Sequence, residues 1–167
     1  MTSIRPYEDR DLDACRELWR DLTQAHREIY DDPTIGGEDP GIHFDRHLAD
    51  PRLAGLWVAE CESATVGLVG LLMNDGEAEI EPLVVARAYR FRGVGRALLE
   101  FTVEEARTRG ARHLSVRPVA RNTEALRCFH SAGFRLLGRI EMFLELVPST
   151  RATWKPGIAM HGRRFRY

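Results

Sequence analysis

At 167 residues the chain has the length of one ordinary domain; its 44% hydrophobic content suffices for one core, with no room for a second folded unit. A formal charge of -1 provides no global basic field, so no nucleic-acid partner is expected. Cys15, Cys61 and Cys128 are unevenly spaced without a C-x-x-C pair, and no run of eighteen apolar residues occurs, which excludes a disulfide framework, a zinc site and a membrane span and predicts a soluble cytoplasmic protein with reduced thiols.

In chain order, Ile4 to Tyr7 reads as a short strand. Asp11 to Ile29 reads as a helix, with Leu12, Cys15, Leu18, Trp19, Leu22 and Ala25 at helical spacing and Asp9 or Asp11 as its N-cap. Residues 31 to 41 hold too many Asp, Pro and Gly for regular structure, and a loop of that length often shapes a binding site; a short helix over Phe44 to Ala49 follows. Leu56 to Glu60, Thr65 to Met73 and Glu77 to Ala86 are rich in Val, Ile and Leu and break at Cys61-Glu62-Ser63 and Asn74-Asp75-Gly76, the pattern of an antiparallel meander. A helix opening at Gly93 carries Val94, Ala97, Leu98, Phe101 and Ala106 on one face and stops at Gly110. His113 to Arg117 is then a strand, which completes a parallel strand-helix-strand crossover. Asn122 caps a further helix to Ala132, with Gly133 beyond its end, and Phe134 to Val147 is a strand pair or one bent strand. Trp154 to Tyr167 reads as an edge strand, an arm across a cleft or a dimer contact.

Arg90-Phe91-Arg92-Gly93-Val94-Gly95-Arg96 lies between the apolar strand end Leu83-Val84-Val85 and the helix. Glycines there let backbone N–H groups approach an anion, and the arginines add charge to a helix N-terminus that already carries about half a positive charge. The stretch is a phosphate cradle, yet not a P-loop, because Gly95-Arg96-Ala97 stands where Gly-Lys-Ser/Thr is needed. Nor is it a dinucleotide fingerprint, because Leu98 occupies the third small position.

An Arg three residues before Gly-x-Gly, after a hydrophobic strand, resembles the GNAT superfamily of acyl-CoA-dependent N-acetyltransferases. Asn122-Thr123-Glu124-Ala125, then Cys128-Phe129 and Ala132-Gly133-Phe134, is similar to that family's Asn-x-x-Ala helix ending in Gly-Phe, and Ile4 to Leu12 to its first strand and helix, so the resemblance covers residues 3 to 147. It implies an α/β (α+β) fold, with a mixed, mostly antiparallel central sheet flanked by helices and one strand pair splayed at the CoA site. One domain would span residues 1–147, with 148–167 an extension packed on it or swapped from it. Acetyl-CoA would be the acyl donor, no metal would be needed, and homodimerisation is a family-level expectation. Implied cofactor contacts are Val84, Val85, Arg90, Phe91, Arg92, Gly93, Val94, Gly95, Arg96, Asn122 and Phe129, with the strand backbone near Val85 as oxyanion donor.

The implied reaction moves acetyl to a primary amine, taken to be that of a small molecule; a peptide or protein amine, or a non-catalytic acyl-CoA sensor, are the alternatives. An alkylammonium has a pKa near about 10.4 and must lose a proton before it attacks. Glu81 is the candidate base, since period-two alternation places Glu79, Glu81 and Val85 on one strand face, and Pro82 points to irregular pairing beside it. Ser115 and Phe129 stand where the family often has a base and a tyrosine acid, so thiolate departure would go without a side-chain acid. His130 reads as a surface residue and Cys128 as core. His43, Asp45 and His47 suggest a metal by spacing but fit an acceptor-side lining better, and Glu28, Asp31, Asp32, Glu38 and Asp39 would suit a cationic amine.

Overall fold

The computed structural model describes residues 2–146 and 154–167. Five strands form one sheet in the order β1 (Thr2–Pro6), β2 (Leu53–Cys61), β3 (Ala64–Asn74), β4 (Glu77–Val85) and β5 (His113–Val116). The first four run antiparallel and β5 joins β4 in parallel, the mixed, mostly antiparallel sheet expected from the sequence. Both hairpin turns have the positive φ values that a two-residue connection demands: Glu62 and Ser63 at 52° and 66°, Asp75 and Gly76 at 50° and 81°.

Helices cover both faces, so the central strands read as almost unbroken apolar runs. On one face α3 (Val94–Thr108) sets Leu98 and Leu99 against Trp57, Val69, Leu71 and Ile80. On the other, α1 (Leu12–Tyr30) and α2 (Ile42–Leu48) bury Cys15, Leu18 and Phe44 against Val58, Leu68 and Val84. Asp11 is the N-cap residue of α1, one of the two positions expected from the sequence. Asp9–Asp11 form a 3-10 turn, and the Asp11 carboxylate makes no cap bond to the helix. It accepts instead from Arg5 at 2.7 and 2.9 Å, from Thr65 at 2.9 Å and from the Glu8 N–H at 3.0 Å, the guanidinium fork giving this buried carboxylate its strongest partner.

Strand β4 breaks its own alternation. Val69 faces Leu83 and Leu71 faces Ile80, so Gly70 alone stands opposite Glu81 and Pro82, a two-for-one bulge. Ile80 packs on the α3 face before it, and so do Leu83 and Val85 after it. Glu79 lies on the α1 and α2 face, with Val84 there too, so the expected shared face of Glu79, Glu81 and Val85 does not exist: the extra residue inverts the phase.

After β5, Asn122 caps α4 (Thr123–Ser131) by accepting from Ala125 N at 3.0 Å, as expected. The expected strand or strand pair over 134 to 147 is not formed among the described residues, and Val147 lies outside them. The alternation exists, Leu136, Ile140, Met142, Leu144 and Leu146 against Arg139, Glu141 and Glu145, but a strand holds only through a ladder, and these residues make none. The tail forms a separate antiparallel hairpin, β6 (Pro156–Met160) with β7 (Arg163–Arg166), so the edge-strand alternative does not apply to the main sheet. The start of the expected extension, residues 148 to 153, lies outside the described residues.

Candidate active site

Pairing of β4 with β5 ends at Ile80 and Val116, while β4 runs on to Val85 beside β3 alone, so the strands part and leave a gap. Backbone direction along it follows from one bond. Ala86 N donates to Val66 O at 2.9 Å, and in an antiparallel ladder every second residue does likewise, so Val84 directs its polar groups to β3 while Leu83 and Val85 turn theirs into the gap. Arg90 Nε donates to the Val85 carbonyl at 3.1 Å, which fastens the strand end to the cradle and leaves the Val85 N–H facing open space.

At the far side of the gap α3 begins. Gly93, its N-cap residue, has φ 85° and offers no side-chain cap, so the N–H groups of Val94, Gly95 and Arg96 lack helical partners while Ala97 N already bonds Gly93 O. Gly93 is glycine for its backbone. Gly95 is different: it sits in the first turn with no positive φ, and a Cβ there would meet only Val85 Cγ2 at 3.5 Å, an ordinary contact. Neither backbone nor packing asks for glycine at 95, so its bare Cα leaves room for something outside the protein. Phe91 is 88% exposed at φ 61°, Arg92 lies over the Tyr89 ring at 5.5 Å, and Arg96 pairs with Glu100 at 2.7 Å. The Arg92 and Arg96 guanidiniums thus remain exposed beside uncapped amides, an arrangement that attracts phosphate.

The α1 and α2 side of the gap carries carboxylates. Glu79 is 8% exposed and pairs with Arg117 at 2.9 Å; burial pushes its carboxyl above the usual range, and Arg117 opposes that. Glu81 is exposed at the bulge, and Ser115 donates its hydroxyl to Ala78 O at 3.1 Å. The three α2 residues with metal-like spacing point apart: His43 Nε2 meets Gly36 O at 3.2 Å, Asp45 accepts from Arg16 at 2.9 and 3.0 Å, and His47 is buried beneath β3. Among the described residues no group of His, Cys, Asp and Glu could hold a metal ion, and no helix is long and apolar enough to cross a membrane.

The 31–41 loop is laced to α1 by Arg20 to Asp39 at 2.9 Å and by Arg27 to the Ile35 and Gly37 carbonyls at 2.9 and 2.7 Å. The last turn of α1 reaches both banks of the gap. Glu28 meets Arg87 past the end of β4 at 3.7 Å, and the Tyr30 ring lies 4.8 Å beneath Arg121 of the loop after β5. On α4, Phe129 stacks edge-on against Phe134 at 5.8 Å, His130 is exposed, and burial pushes the Cys128 thiol up, away from thiolate.

Residues 12–134 match the family described as "Acetyltransferase (GNAT) family". The chain belongs to the GNAT acetyltransferase family. Over 121 residues it is 29% identical to streptothricin acetyltransferase of Streptomyces lavendulae, a match covering 68% of this chain and 64% of that protein. Its fold is that of a GNAT-family acetyltransferase from Staphylococcus aureus MU50, at TM-score 0.68 and 16% identity over 99% of this chain and 97% of the other. It is also that of aminoglycoside N-acetyltransferase AAC(6')-Iy in complex with CoA, at TM-score 0.66 and 16% identity over 88% and 96%. In this GNAT domain, the structure sets Arg90, Arg92, Gly93 and Gly95 at the turn beside the gap and Asn122 at the start of α4. Sequence reading named Glu79 but not its pairing with Arg117, which β5 brings about, nor the turning of Leu83 toward the gap, which depends on ladder phase. A lone glycine inside the β3 pattern, Gly70, was the available sign of the bulge.

Proposed function

We propose that the protein transfers acetyl from acetyl-CoA to a primary amine of a small molecule by direct attack through a tetrahedral intermediate. Gly95 carries this reading: a helix-opening glycine required by neither conformation nor packing, among uncapped N–H groups, fits a diphosphate pressed against the backbone. Val94, Gly95 and Arg96 N–H groups hold the diphosphate, with Arg92, Arg90 and the exposed Phe91 around it. The pantetheine arm lies in the gap as an added strand against Leu83 and Val85, with Val84 serving through its side chain in the core, and Asn122 and Phe129 border it from α4. The Val85 N–H receives charge developing on the thioester oxygen.

Glu81 takes the proton from the acceptor ammonium, directly or over water, and Glu79 with Arg117 fixes the polarity of the acceptor bank. Departure of the thiol, with a pKa near about 8.5, needs no side-chain acid, which suits Phe129 at that position. A small cationic acceptor is favoured by the acidic bank and by the 29% identity to an enzyme named for streptothricin. The test is release of free thiol from acetyl-CoA across a panel of amines, with calorimetry for CoA. Release with small amines and not with peptides is expected. Tight CoA binding with no amine-dependent release would favour a sensor, the reading that Phe129 and Ser115 support.

A further inference from the structure

Residues 136–146 carry apolar side chains that nothing in the single chain covers. Leu136, Ile140, Met142, Leu144 and Leu146 fall on one side of an extended backbone and are 57% to 95% exposed. Monomeric proteins rarely leave so continuous an apolar run facing water. The β6–β7 hairpin that follows is in a similar position. None of its residues joins either core cluster, and a two-stranded hairpin by itself is at best marginally stable in water.

A complementary surface lies at the end of the main sheet. Among the described residues β5 pairs with β4 alone, so its outer N–H and C=O groups form an open edge. Leu114 and Val116 of β5 turn toward the α3 core, and Val103, Ala106, Ala111 and Phe134 help to line a cavity of about 360 Å³ beside them. A parallel strand of this kind is normally covered on its faces and flanks. The chain thus holds an edge that lacks a neighbour and, twenty residues on, an alternating stretch that lacks a ladder.

We propose that the protein is a homodimer formed by reciprocal exchange of arms, in which residues 136–146 of each copy, with the hairpin behind them, extend the sheet at β5 of the other. The backbone of the arm continues the β5 ladder, and its apolar side closes the groove next to α3. Within one copy the two halves of this contact are present and not joined; a two-fold axis joins both pairs at once, the low-cost route by which identical chains exchange an element. The area is sufficient. Burying a large aliphatic side chain removes about 60–120 Å² from water, so five on each of two arms, with the groove walls facing them, bring the interface to about 1,200–2,400 Å², the range of stable protein interfaces.

Light scattering and sedimentation of the full chain test the exchange. Twice the 19.0 kDa mass of one copy is expected at micromolar concentration, and a monomer overturns the proposal. Met142→Glu combined with Leu144→Glu puts two charges on the apolar side of the arm, at side chains exposed in the single copy, so thermal unfolding should show the domain intact. At least about a tenfold loss of dimer affinity is expected from the pair, whereas Glu141→Lys on the opposite side should leave affinity within about threefold. A dimer that survives the double substitution is built on another surface and overturns the proposal. Hydrogen exchange then locates the arm: the outward amides of His113–Val116 should be slow in the dimer and fast in the double variant. Exchange there that is indifferent to the substitutions, or slow in a monomer whose own arm covers the edge, overturns the exchange. These readouts need neither CoA nor an amine, so their failure and failure of the acetyltransfer reading are separate results.

Discussion

Replacing Gly95 by alanine should move stability and ligand affinity in opposite directions. Glycine in a helix is about 0.5–1 kcal/mol less favourable than alanine, and the new methyl would meet only Val85 Cγ2 at 3.5 Å, so the folded protein should gain most of that amount. For a chain of this length such a gain raises the melting temperature by about 1–4 °C. The methyl would occupy the path of a diphosphate oxygen to the α3 amides and remove at least one charge-assisted hydrogen bond, worth about 1.5–3 kcal/mol, or about a 10- to 150-fold loss of affinity. Thermal unfolding without ligand and titration calorimetry with CoA give the two quantities separately. CoA affinity unchanged in Gly95→Ala would refute the reasoning, because the glycine would then have no reason to be one. Gly93→Ala is the control: at φ 85° alanine is strained, and unligated stability should fall by about 1 kcal/mol or more.

Glu81→Gln should lower the turnover of thiol release by about a hundredfold or more while calorimetry finds CoA binding unaltered; equal turnover across the pH range would remove Glu81 as the base. In Gly70→Ala the new methyl would press on the backbone carbonyl of Glu81, an atom no rotamer change can move aside, so a loss of about 2 kcal/mol or more is expected in urea unfolding. Asp11, 3% exposed beside Arg5, has its carboxyl held down at about 2 from an ordinary 3.8. Its contribution of about 2 kcal/mol is complete above pH 4 and drains away as pH falls toward 2; Asp11→Asn should flatten that part of the stability curve. Cys15, whose thiol burial pushes up to about 12, should resist alkylating reagents until the protein unfolds.

Local signals in the sequence carried much of the fold. Two hairpins announced themselves as Cys61-Glu62-Ser63 and Asn74-Asp75-Gly76, the helical faces of α1 and α3 by their spacing, and α4 by Asn122, since each depends on neighbours a few residues away. The turn from β4 into α3 at Gly93 was legible for the same reason. What stayed hidden depends on pairing across distance. The bulge belongs jointly to Gly70 and Glu81, so a strict alternation through β4 misassigned the faces of Glu79 and Val85. Likewise the stretch after Phe134 has the alternation of a strand, but alternation specifies which side is apolar and not which neighbour supplies the ladder. His47 was legible as a residue of α2, and its isolation under β3 was not, because only the packed helix creates it.

The last turn of α1 is tied to one bank of the gap through Glu28 and Arg87 and to the other through Tyr30 and Arg121. The Glu28–Arg87 pair is exposed and worth no more than about 1 kcal/mol, and the half-buried Tyr30–Arg121 contact about 1–2 kcal/mol. A single helix end therefore acts as a soft strap across two rigid walls. Any molecule wide enough to wedge them apart tugs on that end and, through Arg27, on the loop beyond it, so the distance between the walls and the posture of the loop become one mechanical variable that thermal motion can drive.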